Sequence, residues 1–204
     1  MTAINQEFWI YKLLIDPLTS GLRNAVHKLI EPGSTVLDIA CGTGSLLVEL
    51  SLEIKSGIGV DLNATKIEQA NRIVQKKNIG NVEFLVADAT QLKSIFDKRF
   101  DYVILSLAIH QFPEPLRSEI IQQAIATGKH LILADYSVPV PVNFSGLLSK
   151  SIERIAGAEH FDAYKSFVKT NGLEGICEKH KLKCIAECRV GSGVFTVLKV
   201  NERL

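Results

Sequence analysis

The chain has no stretch approaching the roughly 18–20 consecutive apolar residues that a membrane helix needs. Its longest candidate, Tyr102 to Ile109, is the length of a strand. The N-terminus lacks the charged-then-apolar pattern of a secretion signal. Neither sign of charge dominates: 23 Lys and Arg face 22 Asp and Glu, a net charge of +1. A nucleic-acid-binding surface needs a basic excess or stripe. The two local basic runs, Lys76-Lys77 and Lys179 to Lys183, read as solvated helix faces. Four cysteines occur, but none forms a Cys-x-x-Cys knuckle, and Cys177, Cys184 and Cys188 lack zinc-ligand spacing even with His180 nearby. They read as reduced thiols. These absences lead us to expect a soluble, cytoplasmic chain with no metal, no nucleic-acid partner and no stable membrane insertion.

Apolar residues make up 47% of the 204 positions, enough for one sizeable core and short for two. We expect a single domain over 1–204, with N-terminal helices at 1–32, a core at 33–136, a helical lid at 137–181 and a C-terminal hairpin at 182–204. The helical spacing of Phe8, Tyr11, Leu14 and Ile15 is broken by Pro17 and resumes at Leu22, Val26, Leu29 and Ile30. Strand and helix patterns then alternate. Strands are expected at Thr35–Ala40, Gly57–Leu62, Val82–Val86, Tyr102–Leu107 and His130–Ala134. The intervening helices are Leu46–Glu53, one capped by Asn63 and running to Lys77 with Ile67, Ala70 and Val74 inward, and Pro115–Thr127. In that last helix Leu116, Ile120, Ala124 and Ile125 are expected inward and Gly128 to act as its stop. Apolar strands separated by helices predict an α/β, Rossmann-like parallel sheet with helices on both faces. Such sheets bind ligands at the carboxyl ends of their strands, near the point where strand order reverses.

The polar residues gather at those ends. Val36-Leu37-Asp38-Ile39-Ala40-Cys41-Gly42-Thr43-Gly44 runs from a strand into a glycine loop and then a helix. Gly42 and Gly44 allow a sharp turn and close approach of a ligand. A dinucleotide fingerprint requires a third glycine three residues on, where this chain has Leu47. Asp38, just before the loop, would repel a pyrophosphate but suits a cationic amino group. Asp61 ends the second strand, where a carboxylate can accept ribose hydroxyls. Asp88 and Ala89 follow the third strand, where a carboxylate and a backbone amide can hold an adenine. Ser106 and His110 follow the fourth.

Residues 33–136 resemble the S-adenosylmethionine-binding core of class I methyltransferases, and within that class the small-molecule group that includes the ubiquinone and menaquinone biosynthesis enzymes. The matching segments are Val36 to Gly44, Gly59-Val60-Asp61-Leu62, Ala87-Asp88-Ala89 and Phe100-Asp101-Tyr102-Val103. The resemblance implies a seven-stranded sheet whose last strand is antiparallel, which suits Leu182–Val190 and Val194–Val200 around Gly191-Ser192-Gly193. It implies S-adenosyl-L-methionine as cofactor, its methionine part held by Asp38, Cys41, Gly42, Thr43 and Gly44, its ribose by Asp61 with Leu62, and its adenine by Asp88 and Ala89, with Ser106 on the same edge. It implies methyl transfer to a small-molecule acceptor. The Asn/Asp-Pro-Pro-aromatic motif of nucleic-acid amino-methyltransferases and the Pro-Cys of pyrimidine C5 enzymes are both absent. A nicotinamide-dependent reductase on a similar sheet and a non-catalytic cofactor-binding protein are the alternatives, and monomer and homodimer both stay open.

Transfer from a sulfonium needs mainly proximity, orientation and a dry site, with a base only if the acceptor must lose a proton. His110 is the candidate base; the competing reading is a histidine that caps backbone or shapes a wall. Tyr136 is a candidate for orienting an acceptor oxygen, set against a packed wall tyrosine. Asp38 has its own competing role, capping the amides of the glycine loop. Trp9 and Tyr11 read as helix packing. Between 137 and 181, helical stretches are expected at Leu147–Ile155, His160–Lys169 and Leu173–Lys181. One apolar stripe contains Phe144, Leu147, Leu148, Ile152 and Ile155, the other Phe161, Tyr164, Phe167 and Val168. His160 is a second, weaker candidate base in this layer, whose aromatic content points to an apolar or aromatic acceptor.

Overall fold

Seven strands form one sheet in the order β3-β2-β1-β4-β5-β7-β6. A computed structural model describes residues 19–141 and 158–202. The strands are β1 (Thr35–Ile39), β2 (Ser56–Asp61), β3 (Val82–Val86), β4 (Phe100–Ser106), β5 (Gly128–Tyr136), β6 (Leu182–Val190) and β7 (Phe195–Glu202). The first five run parallel, and β7 inserts antiparallel between β5 and β6. The helices are α1 (residues 19–27), α2 (Ser45–Leu50), α3 (Ala64–Lys76), α4 (Leu92–Ile95), α5 (Glu114–Thr127), α6 (Ala158–Lys169) and α7 (Gly172–Lys179). Two 3₁₀ turns, Ala89–Gln91 and Ile109–Gln111, lie at the ends of β3 and β4.

Strand order reverses between β1 and β4. Right-handed crossovers therefore put α2 and α3 on one face of the sheet and α4 and α5 on the other. This buries β1, β4 and β5 from both sides, which is why Val36, Leu37, Val103, Ile104, Ile132 and Leu133 form a continuous apolar centre. The Asn63 side chain caps α3 by accepting from the Lys66 amide at 3.1 Å, and Ile67, Ala70 and Val74 are its buried face, as expected.

Several boundaries moved. The helix after the glycine loop ends at Leu50 instead of Glu53. The fifth strand extends to Gly128 and Tyr136 at either end. Gly128 is no left-handed helix stop: its φ is −115°. It is needed because a Cβ there would lie 2.6 Å from the Val103 side chain. In α5 the inward stripe is turned by one position, burying Arg117 with Ile120, Ile121 and Ala124 while Leu116 and Ile125 are half-buried. The short 3₁₀ turn and α4 between β3 and β4 carry no sequence periodicity of their own. Trp9, Tyr11, the 5–18 part of the first helical stretch, and Leu147–Ile155 with Phe144 lie outside the described residues. Among the described residues no helix is long and apolar enough to cross a membrane, and no group of three or more His, Cys, Asp and Glu side chains could hold a metal.

Candidate active site

The glycine loop leaves β1 in a left-handed conformation. Ala40, Gly42 and Gly44 all have positive φ, at 56°, 58° and 74°. Alanine rarely adopts that region, and such positions concentrate where a binding surface needs a fixed backbone. Leu107, at the end of β4, has φ 53° and matches Ala40 across the β1–β4 pair. The Phe84 ring lies under the loop. A Cβ on Gly44 would meet its Cζ at 2.2 Å, and one on Gly59 would meet its Cδ1 at 2.4 Å. Both glycines are thus required by close approach, and Gly44 also by its backbone. Leu47, where a dinucleotide loop has glycine, is fully buried, with its Cδ2 about 3 Å from where a Cβ on Gly57 would stand.

The loop's amides are already partnered. Cys41 N–H donates to the Val60 carbonyl, Gly44 N–H to the Cys41 carbonyl, and Gly42 N–H to Asp61 Oδ2 at 2.9 Å. The other Asp61 oxygen accepts from the Asn63 amide at 2.9 Å. Each carboxylate oxygen accepts up to two hydrogen bonds, so Asp61 is oriented and keeps acceptor capacity. Asp38 is different. It is 3% exposed, and among the described residues its carboxylate has no hydrogen bond. The capping role is therefore filled by Asp61. Burial, reinforced by the negative Asp61 alongside, pushes the Asp38 carboxyl up to about 8. The Cys41 thiol is raised as well, by burial and then by Asp38 and Asp61, which keeps it un-ionised and inert.

The remaining strand ends follow in spatial order. Asp88 is exposed. Its Oδ1 accepts from the Thr90 amide and hydroxyl, both at 2.9 Å, which fixes the 3₁₀ turn that carries Ala89. The Ala87 amide donates to the Asp61 carbonyl, joining the β2 and β3 ends. Leu62 is 70% exposed, an apolar surface beside Asp61 that the protein itself does not cover. Ser106 is half-buried at the end of β4, paired in register with Ala134. Asp88, Asp61, Asp38 with its loop, and Ser106 thus line one sheet edge over β3-β2-β1-β4. Asp101 lies at the opposite end. It accepts from the Thr35 amide and hydroxyl and from Lys129, which together hold its carboxyl down at about 2.

His110 and Tyr136 lie further along, beyond β4 and β5. Both are buried instead of standing open at the edge. His110 Nδ1 is 2.6 Å from Asp135 Oδ1, and the His110 amide donates to Asp135 Oδ2 at 3.1 Å. The Tyr136 amide also donates to Oδ1, at 2.7 Å. The His110 ring packs against Tyr136 at 4.9 Å, His160 at 5.5 Å and Tyr164 at 6.3 Å between centroids. Tyr164 and Phe167 of α6 are buried, so the helix serves as core on its inner side. Arg117 ties this layer together: it donates to the carbonyls of Ile109, Phe112 and Ala163 and to the Thr170 hydroxyl, with Phe167 under its guanidinium. Sequence reasoning passed over Asp135, Arg117 and Phe84. The signals were present: an acid at the end of an apolar strand, as at Asp38, and an arginine on the 117-120-121-124 helical stripe.

Residues 30–187 match the family described as methyltransferase domain. The chain belongs to this family. Among curated relatives, this methyltransferase domain is 29% identical over 128 residues to 2-heptyl-1-hydroxyquinolin-4(1H)-one methyltransferase of Mycobacteroides abscessus, covering 59% of this chain and 56% of that protein. It is 32% identical over 137 residues to demethylmenaquinone methyltransferase of Renibacterium salmoninarum, covering 63% and 55%. The chain spans about half the length of these curated relatives. Magnesium protoporphyrin IX methyltransferase from Synechocystis PCC 6803, solved with bound SAH, aligns with a TM-score of 0.66 at 17% identity over 100% of this chain and 89% of that one. That likeness is one of fold. The reductase alternative is not favoured.

Proposed function

We propose that this methyltransferase domain binds S-adenosyl-L-methionine along the β3-β2-β1-β4 edge and transfers its methyl group to a small-molecule acceptor. The observation that carries the reading is Asp38, a buried carboxylate without a hydrogen-bond partner among the described residues, beside a glycine loop whose own amides are satisfied. A buried unpaired carboxyl is costly, and a cationic amino group is the ligand that offsets the cost. In this reading Asp38 and the Cys41-Gly42-Thr43-Gly44 backbone hold the amino-acid part. Asp61 accepts ribose hydroxyls, with Leu62 alongside, and Asp88 with Ala89 holds the adenine. Ser106 borders the methionine end.

Bound there, the cofactor supplies an activated methyl on a sulfonium. The adenine-to-methionine direction over β3, β2 and β1 carries the methyl toward β4 and β5, where His110 and Tyr136 stand as the acceptor-side residues. The aromatic groups on that side favour an apolar or aromatic acceptor. No nucleic-acid partner is proposed, given the net charge of +1. Calorimetric titration with S-adenosylmethionine and separately with NADH tests the reading. Binding of the sulfonium cofactor at one site with no NADH binding is expected; NADH binding alone overturns it.

A further inference from the structure

Asp135 is wholly buried and receives three donors: the amides of His110 and Tyr136 and the His110 ring. Backbone amides aimed at a carboxylate favour its ionised form, and a carboxylate can only accept. The ring atom 2.6 Å away, Nδ1, therefore carries a proton. In the neutral imidazole this leaves Nε2 as the basic nitrogen, the tautomer lock used wherever a buried acid orients a catalytic histidine. Every titratable or charged group packed on the ring can be named: Asp135 and Tyr136 from β5, His160 and Tyr164 from α6. Arg117, from α5, attracts Asp135 through space and bonds the Ile109 carbonyl next in sequence to His110.

We propose, resting on the methyl-transfer reading above, that His110 is the general base of the reaction, that Asp135 is its positioning residue, and that the acceptor is a ring-borne hydroxyl. An amine or a thioether attacks with a lone pair it already has, so it needs no tautomer-locked base. A phenolic or enolic hydroxyl becomes a good nucleophile only as its proton leaves. In the balanced step the hydroxyl proton passes to His110 Nε2 while its oxygen bonds the methyl carbon; the carbon–sulfur bond breaks and its electron pair stays on sulfur, leaving a neutral thioether. The imidazolium, paired with Asp135, then returns its proton to water. Tyr136, Tyr164 and Phe167 supply the flat apolar surroundings that suit a ring and keep the site dry.

Histidine ring NMR of the full chain tests the dyad without any acceptor. His110→Ala assigns the signal. Neutral His110 is expected with its proton on Nδ1, far downfield, and Asp135→Asn should remove that resonance and lower the ring's pKa by about one unit. A proton on Nε2 in the neutral ring, or an Asp135→Asn variant with an unchanged titration, overturns the proposal. The acceptor class is read with S-adenosylmethionine and a pool of phenols, anilines and thiophenols of one to three fused rings. Transfer to hydroxyls is expected, slowed roughly a hundredfold by Asp135→Asn, with a rate that falls in acid at the pKa seen by NMR. Transfer to nitrogen or sulfur at comparable rates, or to no hydroxyl in the pool, overturns the class. Failure of S-adenosylmethionine to bind in calorimetry would instead sink the methyl-donor reading, leaving the NMR result to judge the dyad.

Discussion

Replacing Asp38 with Asn should make the ligand-free protein more stable and a worse cofactor binder. The folded carboxyl is raised from 3.8 to about 8, by burial first and by Asp61 second. Between those values the folded protein keeps a proton that the unfolded chain has released. Stability of the free protein therefore falls as pH rises through that window. At pH 7 the accumulated penalty is at most about 4 kcal/mol, at 1.36 kcal/mol per unit. Asn has nearly the same shape and no charge, so Asp38→Asn should recover about 2–4 kcal/mol at pH 7 and almost nothing at pH 4. Urea unfolding at both values reads this directly.

The same shift dictates the binding behaviour. With a carboxyl near 8, about one molecule in ten has Asp38 ionised at pH 7. Pairing with a cationic amino group requires the ionised form, so binding releases close to one proton per site. S-adenosylhomocysteine affinity should rise about tenfold, or 1.4 kcal/mol, from pH 6 to pH 7. Calorimetry in buffers of different ionisation enthalpy measures both quantities. The Asn variant should bind weakly with no pH dependence over that range. Flat wild-type affinity, no proton release, or an Asn variant that binds as tightly as wild type at pH 7.5 would refute the reasoning.

Three further outcomes follow from the geometry. Asp61→Ala should weaken cofactor binding by roughly 1–3 kcal/mol through loss of the acceptor pair, and unchanged affinity by calorimetry would remove the ribose assignment. Gly44→Ala should cost about 2–4 kcal/mol of stability, because it combines a left-handed backbone with overlap on the Phe84 ring. A second change, Phe84→Leu, should recover part of that loss; a cost under about 1 kcal/mol for Gly44→Ala would contradict the close approach. Arg117→Met should destabilise by about 2–4 kcal/mol, since three carbonyls and the buried Asp135 lose their cationic partner. A change within about 0.5 kcal/mol in urea unfolding would show the guanidinium to be dispensable.

The cofactor edge was readable because each of its residues sits at a fixed place in a local pattern. Asp38, Asp61 and Asp88 each interrupt an apolar strand at its carboxyl end, and the glycine loop follows directly on the first. The alternating periods of strand and helix gave the five parallel strands for the same reason. The acceptor side was harder, because its contacts join residues far apart in sequence. Asp135 meets His110 across 25 positions, and Arg117 reaches Ala163 and Thr170 across 46 and 53. Nothing local marks such pairs. Arg117 was also hidden by its charge, since a helical stripe is sought among apolar residues, whereas this one turns inward because five N–H donors find partners there. The role of Phe84 is set by two glycines, Gly44 and Gly59, that approach it from different strands' ends.

A crystal structure of the full chain with S-adenosylhomocysteine tests the central claim most directly. The account predicts the ligand's amino group against Asp38, its ribose hydroxyls on Asp61, its adenine beside Leu62, Asp88 and Ala89, and its sulfur turned toward the β4 and β5 ends. A ligand bound elsewhere, or in this cleft with Asp38 still facing no cationic group, would contradict it.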